Sequence, residues 1–161
     1  MYNAEHWKKV LNMTTHREGG SYFQSYAADY QVSDKNQNTR PAATSIYFLL
    51  EEGDYSAFHR LQADEVWYFH DGQPLSVWAI DLSGALHEMR LGLDVDAGEH
   101  PQVVVPAGWI FGSVVDSGYA LVGCAVAPGF DYQDFELLSK ESLLADYPEH
   151  HEIIDRLAVK A

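Results

Sequence analysis

The amino-acid sequence predicts an all-β fold, a sandwich or closed barrel of antiparallel strands with short helices at its two ends. Three observations carry this. From residue 21 to 126 the chain is a succession of short runs rich in aromatic and β-branched residues, each closed by turn chemistry. No helical stretch intervenes between those runs, which excludes a doubly wound sheet and favours architectures whose closure hides strand edges. Helical spacing is confined to the termini.

Taken in order, Asn3 offers an N-cap and Trp7, Val10 and Leu11 share one helical face, so a short helix is expected over 4–12. Gly19-Gly20 reads as a bend before the first strand. Nine strands are then expected, near residues 21–28, 43–51, 55–61, 65–70, 74–81, 85–91, 102–106, 110–115 and 119–126. Glu52-Gly53-Asp54, Asp71-Gly72-Gln73, Ser83-Gly84, Ala97-Gly98, Pro106-Ala107-Gly108 and Ser117-Gly118 supply the backbone freedom or fixed φ that the reversals between them need. Residues 30–41 are polar and turn-forming and read as a surface loop, and Pro128-Gly129 reads as a turn. Leu143, Leu144, Ile153, Ile154 and Leu157 restore helical spacing over 139–158, interrupted at Tyr147-Pro148. One domain over 1–161 is expected, its barrel core about 21–126.

Composition narrows the function classes. With 47% hydrophobic and 13% aromatic residues, the 161-residue chain can bury a substantial core, which excludes intrinsic disorder. A formal net charge of -14 has the wrong sign for neutralising a phosphate backbone, so nucleic acid is not an expected partner. No apolar run is long enough for a membrane span and the N-terminus lacks the apolar core of a signal peptide, so the expectation is a cytoplasmic protein with no membrane partner. The single cysteine, Cys124, lies in the apolar run 119–126 without electropositive neighbours and reads as a small packing residue. The acidic positions Asp94, Asp96 and Glu99 read as a solvated loop.

The informative segment runs from Gly53 to Gly72. Side chains on a strand alternate faces, so His59 and Leu61 point the same way, as do Glu65, Trp67 and Phe69, while Tyr68 and His70 point outward. If Gln62 to Asp64 form a turn, the flanking strands make a hairpin and His59 meets Glu65 across it. The result is an apolar pocket holding one imidazole and one carboxylate. Burying such a pair costs several kcal/mol per ion in typical estimates, which argues for a functional role over a structural one.

The spacing of Gly53, His59, Leu61, Glu65 and Gly72 resembles the first cupin motif, G-x5-H-x-H-x3-E-x6-G, with Leu61 in place of the second histidine. Gly98 to Val115, around Pro106-Ala107-Gly108-Trp109-Ile110-Phe111, resembles the second motif. There seven residues separate Gly98 from Pro106, Phe111 stands where a histidine is usual, and Val115 where an asparagine is usual. His16-Arg17-Glu18-Gly19-Gly20-Ser21-Tyr22-Phe23 and Val126 to Glu136 resemble segments flanking the barrel in one largely uncharacterised cupin group, with Gln24 where that group usually carries arginine. The resemblance implies a cupin-type double-stranded β-helix, or jelly-roll, barrel. It also implies kinship of fold with the sugar-nucleotide epimerase of rhamnose synthesis, which works without a metal; fold kinship does not transfer a reaction.

Cupins commonly hold a metal with three histidines and a glutamate. Here Leu61 and Phe111 cannot coordinate, and His70, His87, His100, His150 and His151 are placed on turns, outward faces or the terminal helix. No cofactor is expected; a divalent metal, if bound, would rest on His59 and Glu65, fewer ligands than zinc or non-haem iron sites use. The leading expectation is therefore a metal-independent, isomerase- or epimerase-like enzyme acting on a small carbohydrate-like molecule by proton transfer. His59 would be the base, with Glu65 beside it and Tyr47 or Tyr119 the opposing acid. Leu61, Trp67, Phe69, Trp109 and Phe111 would form the ligand wall. The alternatives are a non-catalytic metabolite-binding protein and a metal-dependent enzyme. A homodimer is expected through the aromatic strand 21–28.

Overall fold

The computed structural model describes residues 2–160. Asn3 accepts the His6 N–H at 2.9 Å and opens helix α1 (Ala4–Val10), which ends before Asn12 turns into the left-handed region. The strands follow as β1 (Thr14–Thr15), β2 (Ser21–Ala27), β3 (Gln31–Ser33), β4 (Thr39–Pro41), β5 (Thr44–Glu51), β6 (Tyr55–Arg60) and β7 (Asp64–Gly72). Then come β8 (Leu75–Ile80), β9 (Leu86–Leu91), β10 (Gln102–Val105), β11 (Ile110–Val115), β12 (Tyr119–Ala127) and β13 (Glu136–Leu137). Helices α2 (Lys140–Asp146) and α3 (His151–Leu157) close the chain, separated at Tyr147-Pro148 as the sequence predicts.

Eleven of these strands form two facing layers, a six-stranded sheet ordered β1-β2-β5-β12-β7-β10 and a five-stranded sheet ordered β13-β6-β11-β8-β9, while β3 and β4 pair separately. The main core lies between them, built from inward residues including Phe48, Leu61, Trp67, Val77, Phe111 and Val122. Both outer faces are partly covered. Leu143, Ile153, Ile154 and Leu157 from α2 and α3 pack on Phe58, Ile80, Ile110 and Val114, each buried side chain contributing about 1.5–3 kcal/mol. Trp7 and Leu11, from the N-terminal segment, pack with Ala4 on Leu49 and Leu121 of the other sheet. β11 has the main core on one face and α2 and α3 on the other, so every residue of it is buried.

Three expectations need correction. The segments 55–61 and 65–70 are not a hairpin: β6 pairs with β11 and β13, whereas β7 pairs with β12 and β10. Residues 61–63 are a corner between layers, held where Leu61 O accepts the Gly108 N–H (3.0 Å) and Asp64 Oδ1 accepts the Ala107 N–H (2.7 Å). His59 and Glu65 still share the interior, because the inner faces of two stacked sheets look at each other. The stretch 30–41 is not a plain loop but contains the β3–β4 hairpin, whose turn Asp34 fastens by accepting the Asn36 and Asn38 N–H groups, both at 2.8 Å. Its Arg40 is buried in a two-pronged contact with Asp134, each prong 2.8 Å. Glu99 is likewise buried, accepting the Asp94 N–H at 2.9 Å beside Arg90.

Strand β2 pairs within its own chain, with β1 and β5, and leaves Phe23 and Tyr26 exposed on the outer face. Among the described residues no helix is long and apolar enough to cross a membrane.

The turn before β2 is the tightest point. Gly19 has φ +114°, and a Cβ there would collide with the Tyr55 carbonyl. Gly19→Ala is expected to cost about 1–3 kcal/mol through combined strain and collision, read as a fall of several degrees in the thermal midpoint. An unchanged midpoint would show that this turn relaxes freely.

Candidate functional site

The site begins with the loop joining β1 to β2. His16 N–H donates to Gly20 O (2.9 Å), Gly20 N–H donates to Asp54 Oδ2 (2.9 Å), and Ala57 N–H donates to Glu18 O (2.7 Å). These bonds fasten residues 16–20 across the start of β6 and drive the Glu18 side chain into the space between the sheets. There Glu18 Oε2 lies 3.0 Å from His59 Nε2, with both side chains nearly inaccessible to solvent. The other imidazole nitrogen, Nδ1, is 2.7 Å from the Ala57 carbonyl. A carbonyl only accepts, so Nδ1 carries a proton.

The Glu18 carboxylate beside Nε2 favours a second proton on the ring. Burial opposes charge on both groups, but each one's charge stabilises the other's, so the His59 pKa is raised and that of Glu18 lowered. The pair is an imidazolium facing a carboxylate. Glu18 Oε2 has no well-aligned hydrogen bond, so the contact is mainly one of charge. Phe111 and Phe135 flank the imidazole, with ring centres 4.1 and 5.1 Å away.

Glu65 sits on the same interior. Burial raises its pKa to about 7, with His59 pulling it down and Glu18 pushing it up. Cys124 lies beside it, and burial and the two carboxylates push that thiol far above its ordinary range. Cys124 therefore stays protonated and inert as a nucleophile. His16 is neutral: burial lowers its pKa, and its Nδ1 accepts the Glu18 N–H at 3.2 Å.

These groups line a cavity of about 420 Å³, a size suited to a small metabolite. Its wall comprises His16, Glu18, Tyr22, Gln24, Thr44, Ile46, His59, Leu61, Glu65, Cys124, Val126, Phe130, Asp131, Tyr132 and Phe135. His59, Glu65 and Leu61, expected from sequence, are thus brought together. Tyr47 and Tyr119 are not. Ile46 and Phe48 face inward on β5, so Tyr47 between them faces outward, its ring centre 5.8 Å from that of His70. Tyr119 packs in the same outer cluster and donates its hydroxyl hydrogen bond to Asp71. Trp67 is fully buried core against Phe48 and Phe111, and Phe69 is packed beside that core. Trp109 stacks on His87 near the surface, 5.0 Å between ring centres. These five residues and Phe111 lie outside the cavity wall.

Sequence reading missed His16, Glu18, Tyr22, Phe130, Asp131, Tyr132 and Phe135 as site residues. The signal lies in the two segments flanking the barrel, 16–23 and 126–136, whose resemblance to the cupin group implies no role for individual residues. Burial and the neighbouring Tyr22 hydroxyl raise the Tyr132 pKa. The Arg17 guanidinium rests 4.9 Å from the Tyr132 ring centre.

The residues present do not fit a cupin metal. Both His59 nitrogens are engaged, Leu61 and Phe111 offer no donor, and among the described residues no three His, Cys, Asp or Glu side chains are grouped to hold an ion.

A family model described as "Cupin superfamily (DUF985)" matches residues 5–138. A solved hypothetical protein from Leishmania major is 37% identical with a TM-score of 0.94, covering 99% of this chain and 100% of its own. A solved protein from Shewanella oneidensis is 48% identical with a TM-score of 0.93, over 100% of both chains. An uncharacterized protein of Saccharomyces cerevisiae is 29% identical over 146 residues, 80% of this chain and 72% of that protein. Oxalate decarboxylase of Bacillus subtilis shares the fold at 17% identity and a TM-score of 0.57, over 91% of this chain and 37% of that one.

The raised pKa of Glu65 links stability to pH. Between its ordinary value of 4.5 and about 7 the folded state holds a proton that the unfolded chain has released, so stability falls as pH rises through that window. The protonation of His59, favoured by Glu18 and Glu65, acts in the same direction at higher pH. Glu65→Gln is expected to remove the Glu65 part of this slope, on the order of 3 kcal/mol between pH 5 and 8, in urea titrations at both pH values. Equal slopes in the two proteins would contradict an anomalous Glu65.

Proposed function

From the premise that the chain belongs to the Cupin_5 (DUF985) family of the cupin superfamily, we propose that its cavity binds a small carbohydrate-like molecule and shifts a proton on it without a metal, in the manner of an isomerase or epimerase. The observation that carries this reading is Glu65: a buried carboxyl poised near neutral pH on the wall of a cavity that also holds a fixed imidazolium. A group that titrates near the working pH is suited to both taking and returning a proton.

In this reading the ionised Glu65 breaks a C–H bond next to a carbonyl and becomes the neutral acid. The bonding electrons move to the carbonyl oxygen as an enolate, and the same proton or one from solvent returns to carbon. His59 is not the base, because its Nε2 is committed to Glu18; its positive charge favours the enolate through space. Tyr22 and Tyr132 replace Tyr47 and Tyr119 as hydroxyl donors within reach of a bound molecule. Phe130 and Phe135 supply apolar faces for the C–H surface of a ring.

The test is solvent exchange. In deuterated water the protein is expected to introduce deuterium at the carbon beside the carbonyl of a bound keto-sugar, at a rate that rises as pH passes through about 7. Glu65→Gln should lower that rate by at least ~10²-fold while the same sugar still raises the thermal midpoint. Exchange that survives this substitution would refute the assigned role. Binding without exchange in the unaltered protein would instead favour a non-catalytic metabolite-binding protein.

A further inference from the structure

We propose that the cavity's occupant is uncharged: a hydroxylated ring without phosphate or other anionic appendage, so that free sugars and cyclic polyols enter while sugar phosphates and sugar nucleotides are refused. This deepens the function proposed above and rests on the cavity being the ligand site.

The charge inventory of the wall carries the inference. None of the fifteen lining residues is lysine or arginine. The one full positive charge inside, on His59, is already matched by Glu18 at 3.0 Å. His16 cannot substitute for it, since its Nδ1 is occupied by the Glu18 N–H and burial keeps the ring neutral. An entering anion would instead meet Asp131, and Glu65 whenever that carboxyl is ionised. A phosphate taken from water into such a wall loses its hydration and finds no counter-charge.

Of the nearby cations two are paired with carboxylates, and the third stands outside the wall. Arg40 is clamped by Asp134, Arg60 pairs with Glu136 at 2.8 Å, and Arg17 lies outside the wall over the face of Tyr132. Backbone donors offer no cradle either. The Gln133 N–H is taken by Asp131 Oδ1 and the Phe130 N–H by Thr44 Oγ1, each at 2.8 Å. At longer range a chain of net charge -14 repels anions before they arrive. A cation is not called for, because the Glu18 charge is matched and burial favours the neutral form of Glu65. What the wall does offer is aromatic surface from Tyr22, Phe130 and Phe135, and neutral polar groups from Gln24 and Thr44. That is the chemistry of a neutral ring with hydroxyls.

The experiment is calorimetric titration of the intact protein with matched probes: glucose, fructose and myo-inositol, the monophosphates of each, glucosamine, and uridine diphosphate glucose. At least one neutral ring is expected to bind, its phosphorylated form at least ~10²-fold more weakly, with no binding of the nucleotide sugar. Gln24→Arg, which places a cation on the wall at a position other than Glu18, His59 or Glu65, should narrow the gap between the phosphorylated and the neutral form about tenfold. A thermal melt verifies that this variant is folded. Tighter binding of a phosphate, of the nucleotide sugar or of glucosamine than of the neutral rings overturns the proposal, as does failure of every neutral ring to bind. Neutral binding without deuterium exchange would sink only the proton-transfer function; exchange confined to a phosphorylated sugar would sink only the ligand class.

Discussion

The site depends on one buried contact, the imidazolium of His59 against the carboxylate of Glu18. Neither group is tolerable alone in this interior. Removing one partner from such a pair strands the other's charge in a medium that solvates it poorly, which typically costs about 3–5 kcal/mol. The rest of the local architecture can be understood as holding that contact. The Ala57 carbonyl fixes the ring from behind, two phenylalanines fix its plane, and the loop from His16 to Gly20 is bonded at three points so that Glu18 cannot swing away. Glu65 then feels both charges, and its proton affinity reflects burial between them.

The two-layer fold makes this arrangement affordable in space. Strands of opposite sheets contribute facing side chains, so residues far apart in sequence meet without a long loop: Glu18 from before β2, His59 from β6, Glu65 from β7 and Cys124 from β12. The corner at residues 61–63 carries the chain from one layer to the other in a few residues. Helices cover part of each outer face, and the segment 130–135 closes the cavity wall with Phe130, Asp131, Tyr132 and Phe135.

Much of this was legible in the sequence. Alternation and turn chemistry located nine of the strands, because each is long enough to show a period. The two-residue strands β1 and β13 are too short to have one, and the β3–β4 hairpin is hidden by a polar composition that its Asp34 turn requires. His59 and Glu65 were identified as interior neighbours from spacing alone, although through a hairpin that does not exist. The alternation holds regardless of which sheet each strand joins, so the facing survived the wrong pairing. Glu18 could not be found by spacing, since it lies 41 positions from His59 in a loop whose direction is set by bonds to Asp54 and Ala57. Tyr47 was misplaced for the opposite reason: on a strand buried on both faces, composition does not say which face is inside.

The loop that delivers Glu18 lies outside the main sheet framework, yet it fixes the protonation of a residue within it. Chemistry and scaffold are therefore separable here. An exchange of that one acidic side chain would change the charge on the imidazole from outside the sheets, against the stability that the buried pair itself requires.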